Sequence, residues 1–357
     1  MSDKLARLQQ ALKHWQLEAV LLTRRDNIAW LTDGASFYVV ERAEIGVASL
    51  LITQNRAVLI APDNELPRIQ AEEPLPFAHD VESFSWYQSL ASVVSTRILG
   101  SDMPFPGSVD IQHRMVSLRQ GLTPLEQERF RQLGRDAAMI VENVARNLHV
   151  GISERQVEAN VTSACLVLGI RPVCTLVAAD ERIAEFKHPV PTSRQLKSMM
   201  MITLGAERNG LHVSLTRLVH FGQPDCDLRQ RTLSVAEIHA DMLSVTLPKR
   251  NWSTVFSDVK RAYEAHGYPE DWRKHHQGGP AGYGCRDMII APDTQGEVLV
   301  HTAVAWNPTL RGVKSEDTFL LTPNGPEKLT HSDSWPLISL KRGDTTIQLA
   351  DWLVIPD

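Results

Sequence analysis

Cysteine is scarce in this sequence, and long apolar runs are absent. The four cysteines among 357 residues show neither a CxxC pair nor zinc-site spacing, which argues against both kinds of motif. Cys165 and Cys174 stand among apolar neighbours, which favours buried thiols over a disulfide. No apolar run approaches the ~18 residues of a membrane span. The N-terminal segment MSDKLARLQQALKHW is amphipathic and lacks a signal-peptide core. We therefore predict a cytoplasmic protein with no membrane partner.

An excess of basic charge is missing as well. The chain has 37 Lys and Arg against 42 Asp and Glu, a net charge of −5, with both signs scattered along it. Without a basic stripe, nucleic acid is not an expected partner. A Gly-x-Ser-x-Gly elbow, a P-loop and a dinucleotide fingerprint are also absent. The remaining composition is that of an ordinary globular protein, and its length suggests two domains.

Hydrophobic patterns divide the chain near residue 120. The stretches EAVLLT, GVASLLIT and RAVLIAP indicate strands that alternate with helical segments, so residues 1–120 are predicted to form a small α/β domain. In LTPLEQERF, Thr123 and Glu126 form a capping box with Pro124 at the first helical position. This strong helix start opens the second domain, residues 121–357.

The second domain combines helices with strand pairs. GISERQ starts another capped helix, and MMMITLGA and LHVSLTRLVHFG flank the turn ERNG, which predicts a hairpin. Two helical stretches precede the glycine-rich loop HHQGGPAGYGCRD, and two strands follow it. The order of helices and strands weakly suggests a duplicated half. The fold class is therefore predicted to be α/β (α+β), a mixture of helices and strands.

Several stretches together resemble one family. They are RRDNIAWLTDG in the first domain and HPVPTSRQL, LGAERNG, SLTR and SEDTFLLTPNG in the second. They resemble the pita-bread proteins creatinase, aminopeptidase P, prolidase and methionine aminopeptidase. The resemblance implies a creatinase/prolidase-type N-terminal α/β domain, a C-terminal pita-bread domain with duplicated α-β halves, and a homodimer.

The resemblance also locates a metal site that the sequence has largely lost. Metal-dependent members hold two divalent cations with two aspartates, a histidine and two glutamates. An ungapped match places at these positions, in order, Thr203, Ser214, Gly279, Asn307 and Glu316. One carboxylate cannot replace the anionic ligands that two hard cations need. The sequence therefore predicts no metal and no other cofactor.

The polar groups that remain at these places are the candidate site. His188 matches the general acid/base of creatinase-type members, and imidazole suits that role. An isolated buried Glu316 needs a positive partner, either a protein side chain or the substrate. Arg286 either binds a substrate carboxylate or forms a salt bridge with Asp287 or Glu316. The predicted catalytic residues are His188, Glu316 and His275, and the predicted substrate-binding residues are His276, Arg286, Asp287, Asn307, Ser214, Thr203 and Gly279.

These residues lead to one preferred function and two alternatives. The preferred function is a metal-independent hydrolase of the creatinase type, which cleaves a C–N bond in a small anionic or zwitterionic substrate. One alternative is a binding or regulatory protein without catalysis. The other is an Xaa-Pro-type metallo-aminopeptidase with relocated ligands, which predicts bound manganese, cobalt or zinc.

Overall fold

The computed structural model describes residues 3–95 and 98–356. The chain divides into two compact units, Met1–Gln120 and Gly121–Asp357. Each unit is a mixture of helices and strands, which confirms the predicted fold class. Among the described residues, no helix combines the length and the apolar character that a membrane crossing requires.

The first unit is built on a six-stranded mixed sheet with the order β4-β3-β2-β1-β5-β6. Its three central strands β1, β2 and β3 pair antiparallel, whereas β4, β5 and β6 join their neighbours in parallel. The strands are β1 Ala19–Arg24, β2 Ile45–Thr53, β3 Ala57–Pro62, β4 Asp80–Phe84, β5 Leu99–Ser101 and β6 Val109–Asp110. The helices are α1 Asp3–Trp15, α2 Arg25–Thr32, α3 Leu66–Glu72 and α4 Gln112–Arg119.

The stretch RRDNIAWLTDG has a structural role in this unit. Asn27, on α2, is fully buried, and its amide donates a 2.9 Å hydrogen bond to Asp102. Asp102 also accepts hydrogen bonds from the backbone amides of Thr23 and Arg24. These bonds fasten the β1–α2 connection to the chain that follows β5, because a buried carboxylate must be satisfied by donors.

The second unit contains two four-stranded sheets, ordered β18-β9-β8-β7 and β10-β11-β14-β15, and two short ribbons, β12-β13 and β16-β17. The helices are α5 Pro124–Arg146, α6 Glu154–Val167, α7 Arg182–Glu185, α8 Cys226–Val245 and α9 Trp252–Ala265. The strands are β7 Arg171–Ala179, β8 Met199–Arg208, β9 Leu211–Phe221, β10 Gly278–Ala281, β11 Ala303–Trp306, β12 Thr309–Leu310, β13 Val313–Lys314, β14 Asp317–Thr322, β15 Gly325–Lys328, β16 Leu337–Arg342, β17 Thr345–Ala350 and β18 Leu353–Ile355.

The helix caps and the hairpin that the sequence predicts for the second unit are confirmed. Capping boxes begin α5 at Thr123 and α6 at Ser153. Strands β8 and β9 form the predicted hairpin, and its two turn residues, Asn209 and Gly210, have φ of 52° and 83°. Two positive φ values in succession suit the two-residue turns whose twist matches that of the flanking strands.

The two cysteines predicted to be buried differ in the structure. Cys165 and Cys174 are both free thiols, and Cys165 on α6 is buried. Cys174 is exposed, which contradicts the prediction. The reason is its position on β7, an edge strand of its sheet, where the apolar neighbours in sequence do not all face the core.

The β8–β9 hairpin presents a polar row to the site. Thr203 pairs with Thr216, and Gly205 pairs with Ser214. Because side chains alternate along a strand, all four residues lie on one face of the hairpin. The backbone amide of Thr216 donates to the carbonyl of Glu316 at 3.0 Å. The segment before β14 is thereby held against the hairpin, and it brings its own polar side chains to the same place.

Candidate functional site

Glu316 lies at the centre of a buried ionic cluster. It is 4% exposed. One carboxylate oxygen contacts the Arg286 guanidinium at 2.8 Å, and the other contacts the Lys314 ammonium at 2.9 Å. Thr216 Oγ1 also donates to the second oxygen at 2.7 Å. The ion pair between Arg286 and Glu316 is one of the two salt bridges that the sequence predicts for Arg286.

Two opposing effects act on the pKa of Glu316. Burial would raise this pKa, but the charges of Lys314 and Arg286 outweigh burial and hold the pKa below its ordinary value. Glu316 is therefore an ionised carboxylate. Both its oxygens are already occupied by cationic donors.

Hydroxyl groups extend the cluster to the hairpin. Thr203 Oγ1 lies 2.7 Å from Thr216 Oγ1. Since the proton of Thr216 is given to the carboxylate, Thr203 is the donor in this pair. Arg286 also donates to Ser214 Oγ at 3.0 Å. The structure thus brings together the predicted residues Thr203, Ser214, Arg286 and Glu316.

A pair of divalent cations does not fit these residues. Such a centre needs several anionic oxygens with free lone pairs. At the five family positions the chain offers two hydroxyls, an amide, a glycine and Glu316, which is already paired with two protein cations. These five residues therefore do not form a dinuclear metal centre.

Gly279 is held by packing against its own chain. Its φ is +154°, and a Cβ built on it would lie 2.4 Å from the carbonyl oxygen of Met288 and 2.9 Å from the side chain of Ile290. The glycine-rich loop folds back at this position, which leaves no room for a side chain. Substrate contact at Gly279 stays a prediction, and the geometry gives this residue a packing role.

Asp287 also points into its own loop. A Cβ on Gly282 would lie 2.2 Å from an oxygen of the Asp287 carboxylate, and one on Gly284 would lie 3.3 Å from the other oxygen. The carboxylate thus occupies the space that the two glycines leave free. Substrate binding at Asp287 stays a prediction, and the geometry places its carboxylate against the two glycines of its own loop.

Three histidines meet beside the ionic cluster. His188 follows α7, and His275 and His276 precede β10. The ring centroids of His188 and His275 are 4.8 Å apart, and those of His275 and His276 are 4.3 Å apart. His188 is exposed to solvent, whereas His275 is 8% exposed. The structure thus brings together both predicted catalytic histidines and His276.

The three imidazoles are neutral bases in this setting. Burial, followed by the charge of Lys314, lowers the pKa of His275 to about 3. Burial, followed by the charge of Arg286, lowers the pKa of His276 to about 4. Burial and Lys314 also lower the pKa of His188. Ring nitrogens with available lone pairs therefore face one another at neutral pH.

Asn307 marks a further wall of the site. It is 2% exposed, and its backbone amide donates to the carbonyl of Gln277, the residue after His276, at 3.0 Å. Its side-chain oxygen is buried and has no hydrogen-bond partner within residues 3–95 and 98–356. Since buried polar atoms are normally paired, this oxygen is an acceptor available to a ligand.

Sequence reasoning missed two members of the ionic cluster, Lys314 and Thr216. Lys314 stands two residues before Glu316, and Thr216 stands two residues after Ser214. Residues two apart on an extended segment share a face, so the alternation of side chains around Glu316 and Ser214 is the signal that would have found both. Lys314 is one of the two cations that are paired with Glu316.

Comparisons with known proteins agree with this architecture. Residues 4–117 match the creatinase/prolidase N-terminal domain, and residues 128–323 match metallopeptidase family M24. An Xaa-Pro dipeptidase of Pyrococcus horikoshii is 19% identical over 355 residues, covering 93% of this chain and 98% of the relative. An Xaa-Pro dipeptidase of Pyrococcus furiosus is 21% identical over 357 residues, covering 93% and 99%. The crystal structure of the P. horikoshii prolidase has a TM-score of 0.79 at 19% identity, over 93% of this chain and 99% of that one.

These comparisons correct the functional prediction. A metal-independent hydrolase of the creatinase type is wrong, because the matching family is one of metallopeptidases and the similar proteins are Xaa-Pro dipeptidases. The sequence-based inference took the loss of the carboxylates to mean the loss of all metal chemistry. The family resemblance itself is confirmed. The chain belongs to metallopeptidase family M24, with the pita-bread architecture of creatinase, aminopeptidase P and prolidase.

Proposed function

We propose that this chain is a metal-dependent peptidase of the Xaa-Pro type whose metal ligands lie outside the five family positions. The observation that carries the proposal is the convergence of His188, His275 and His276 beside the Glu316 cluster. Two similar proteins that align over nearly the whole chain are Xaa-Pro dipeptidases, which supports the substrate class.

The other polar groups are suited to holding a short peptide. The unpartnered oxygen of Asn307 would accept a hydrogen bond from an ammonium or amide N–H of the substrate. Arg286 has a buried Nε with no hydrogen-bond partner among the described residues, while its Nη2 is paired with Glu316. A guanidinium suits the carboxylate of a dipeptide. These contacts would fix both ends of a zwitterionic substrate.

The removal and return of metal tests the function. We expect hydrolysis of Xaa-Pro dipeptides by the purified protein to disappear after treatment with a chelator. Activity should return on addition of zinc, cobalt or manganese ions one at a time, because the metal supplies the activation of water that the fixed side chains do not. Release of free proline is the measurement. No release of proline from a panel of Xaa-Pro dipeptides with any of the three metals would contradict the proposal.

A second candidate function has one specific observation in its favour. Glu316 is paired with both Arg286 and Lys314, so ion pairs occupy this family position of a metal ligand. This arrangement suits a protein that binds peptides without cleaving them. Isothermal titration with an Xaa-Pro dipeptide distinguishes the two, since binding with no release of proline supports the second candidate.

Two finer predictions belong to the same proposal. A homodimer is implied by the family resemblance, and a mass of about twice the 39.9 kDa chain in light scattering would support it. A cytoplasmic location stays part of the proposal, to be tested by cell fractionation.

A further inference from the structure

The three histidines form a cluster of ring nitrogens with little to satisfy them. One ring nitrogen from each of His188, His275 and His276 lies within 4.8 Å of the other two. The Nε2 atoms of His188 and His275 are 3.1 Å apart. The Nδ1 atoms of His275 and His276 are buried and have no hydrogen-bond partner in the part of the chain that the structure describes. A buried polar atom of this kind destabilises the folded chain unless a ligand or water meets it.

Ordinary core packing does not account for this cluster. A histidine that only fills space normally has a ring nitrogen bonded to backbone or to another kind of side chain, as Nδ1 of the buried His239 is to Ser315 at 2.8 Å, although its Nε2 has no partner among the described residues. In the cluster, the partners are other histidines, and His188 opens it to solvent. Three rings that each place one nitrogen within 4.8 Å of the other two are instead suited to a common ligand.

We infer that His188, His275 and His276 bind one borderline transition-metal ion of the zinc and cobalt class. Three imidazoles without a carboxylate favour Zn²⁺ or Co²⁺ over Mg²⁺ and Ca²⁺, which prefer oxygen ligands. Three protein ligands leave at least one position of the metal for solvent or substrate. This inference deepens the proposed function, because it identifies the residues that hold the metal on which hydrolysis would depend.

The charged neighbours restrict how such an ion binds. Lys314 and Arg286 carry two positive charges and Glu316 carries one negative charge, so the cluster next to the histidines is positive overall. The charge of Lys314 acts on all three imidazoles. A bound dication therefore gains from an anionic partner, and a substrate carboxylate is one. Lys314 weakens metal binding in the absence of that partner.

Metal binding alone, measured without any substrate, tests the inference. Protein freed of metal with a chelator is titrated with Co²⁺, whose visible absorption reports the coordination, and with Zn²⁺ in a calorimeter. We expect one ion per chain. His188→Ala and His276→Ala should each weaken Zn²⁺ binding at least about 100-fold, because each removes one of three ligands. His149→Ala is the matched control, since His149 is an exposed histidine after α5 and lies outside the cluster; it should bind as the wild type does.

A substitution that strengthens Zn²⁺ binding distinguishes the loss of a metal ligand from a general loss of structure. Lys314→Met removes a repelling charge and leaves Glu316 paired with Arg286. We expect it to tighten Zn²⁺ binding by roughly threefold to tenfold at low salt. Misfolded protein would not bind more tightly.

The outcomes of the two tests are distinguishable. Stoichiometric metal binding that depends on the histidines, with no hydrolysis, would overturn the proposed function and support the metal site. Metal-dependent hydrolysis that His188→Ala and His276→Ala leave intact would overturn the metal site and support the function. A wild-type protein that binds neither Zn²⁺ nor Co²⁺ would overturn the metal site outright.

Discussion

Glu316→Gln should lower the free energy of unfolding by about 3–5 kcal/mol, the loss expected when one partner of a buried ion pair is removed. Glutamine keeps the shape of the side chain but leaves Arg286 and Lys314 without a counter-charge, and both side chains are at most 9% exposed. Urea unfolding followed by fluorescence and by circular dichroism measures the effect. The expected size follows from the two ion pairs that meet at one carboxylate.

An exposed pair in the same unit is the matched control. Glu270 pairs with Arg273, and the two side chains are 69% and 63% exposed. Glu270→Gln should therefore cost less than about 1 kcal/mol. A loss of comparable size in both variants would show that burial of the Glu316 cluster does not carry the stability.

The pH dependence of this difference has a definite sign. The pKa of Glu316 is lowered in the folded chain, whereas in the unfolded chain it lies near about 4.3. Its contribution to stability is complete above the unfolded pKa and is lost as the pH falls through the folded one. The difference in the free energy of unfolding between wild type and Glu316→Gln should stay constant from about pH 8 to pH 5 and become smaller below about pH 4. A gap that widened in acid would contradict the ionised state of Glu316.

Gly279→Ala should destabilise the second unit by about 2–6 kcal/mol. The φ of +154° is one that a residue with a side chain rarely adopts, and the strain costs about 1–3 kcal/mol. The new Cβ would also lie 2.4 Å from a backbone oxygen, and overpacking of this kind costs about 1–3 kcal/mol more. Gly279→His, which restores the family's ligand type, should be at least as destabilising and should not create a dinuclear centre.

A second glycine, Gly296, separates the cost of backbone strain from the cost of overpacking. Its φ is +94°, but the nearest atom to a Cβ built on it is 3.9 Å away. Gly296→Ala should therefore show the strain of about 1–3 kcal/mol alone. Urea unfolding of the two alanine variants gives the difference. Equal losses would mean that the loop yields at Met288, and would count against the packing role of Gly279.

Several features followed from the sequence because their causes are local. Capping at Thr123 and Ser153 depends on residues three apart, and the hairpin depends on the Asn209–Gly210 turn. Both features could be predicted because the residues that cause them are close together in the sequence. The family resemblance extended these local signals to the whole fold. The absence of the family carboxylates at Thr203, Ser214 and Asn307 is likewise a fact of sequence.

The state of the site was decided by contacts between distant segments. Glu316 is paired by Arg286, thirty residues away in the chain, and Thr216 reaches it from across one hundred residues. His188 meets His275 across 87 residues. Composition and spacing cannot rank such pairings, because each depends on which strands are neighbours and on where a loop turns back. The sequence therefore determined the fold and the absence of the dinuclear ligands. Only the tertiary structure decided that Arg286 and Lys314 pair with Glu316 and that three histidines lie beside this cluster.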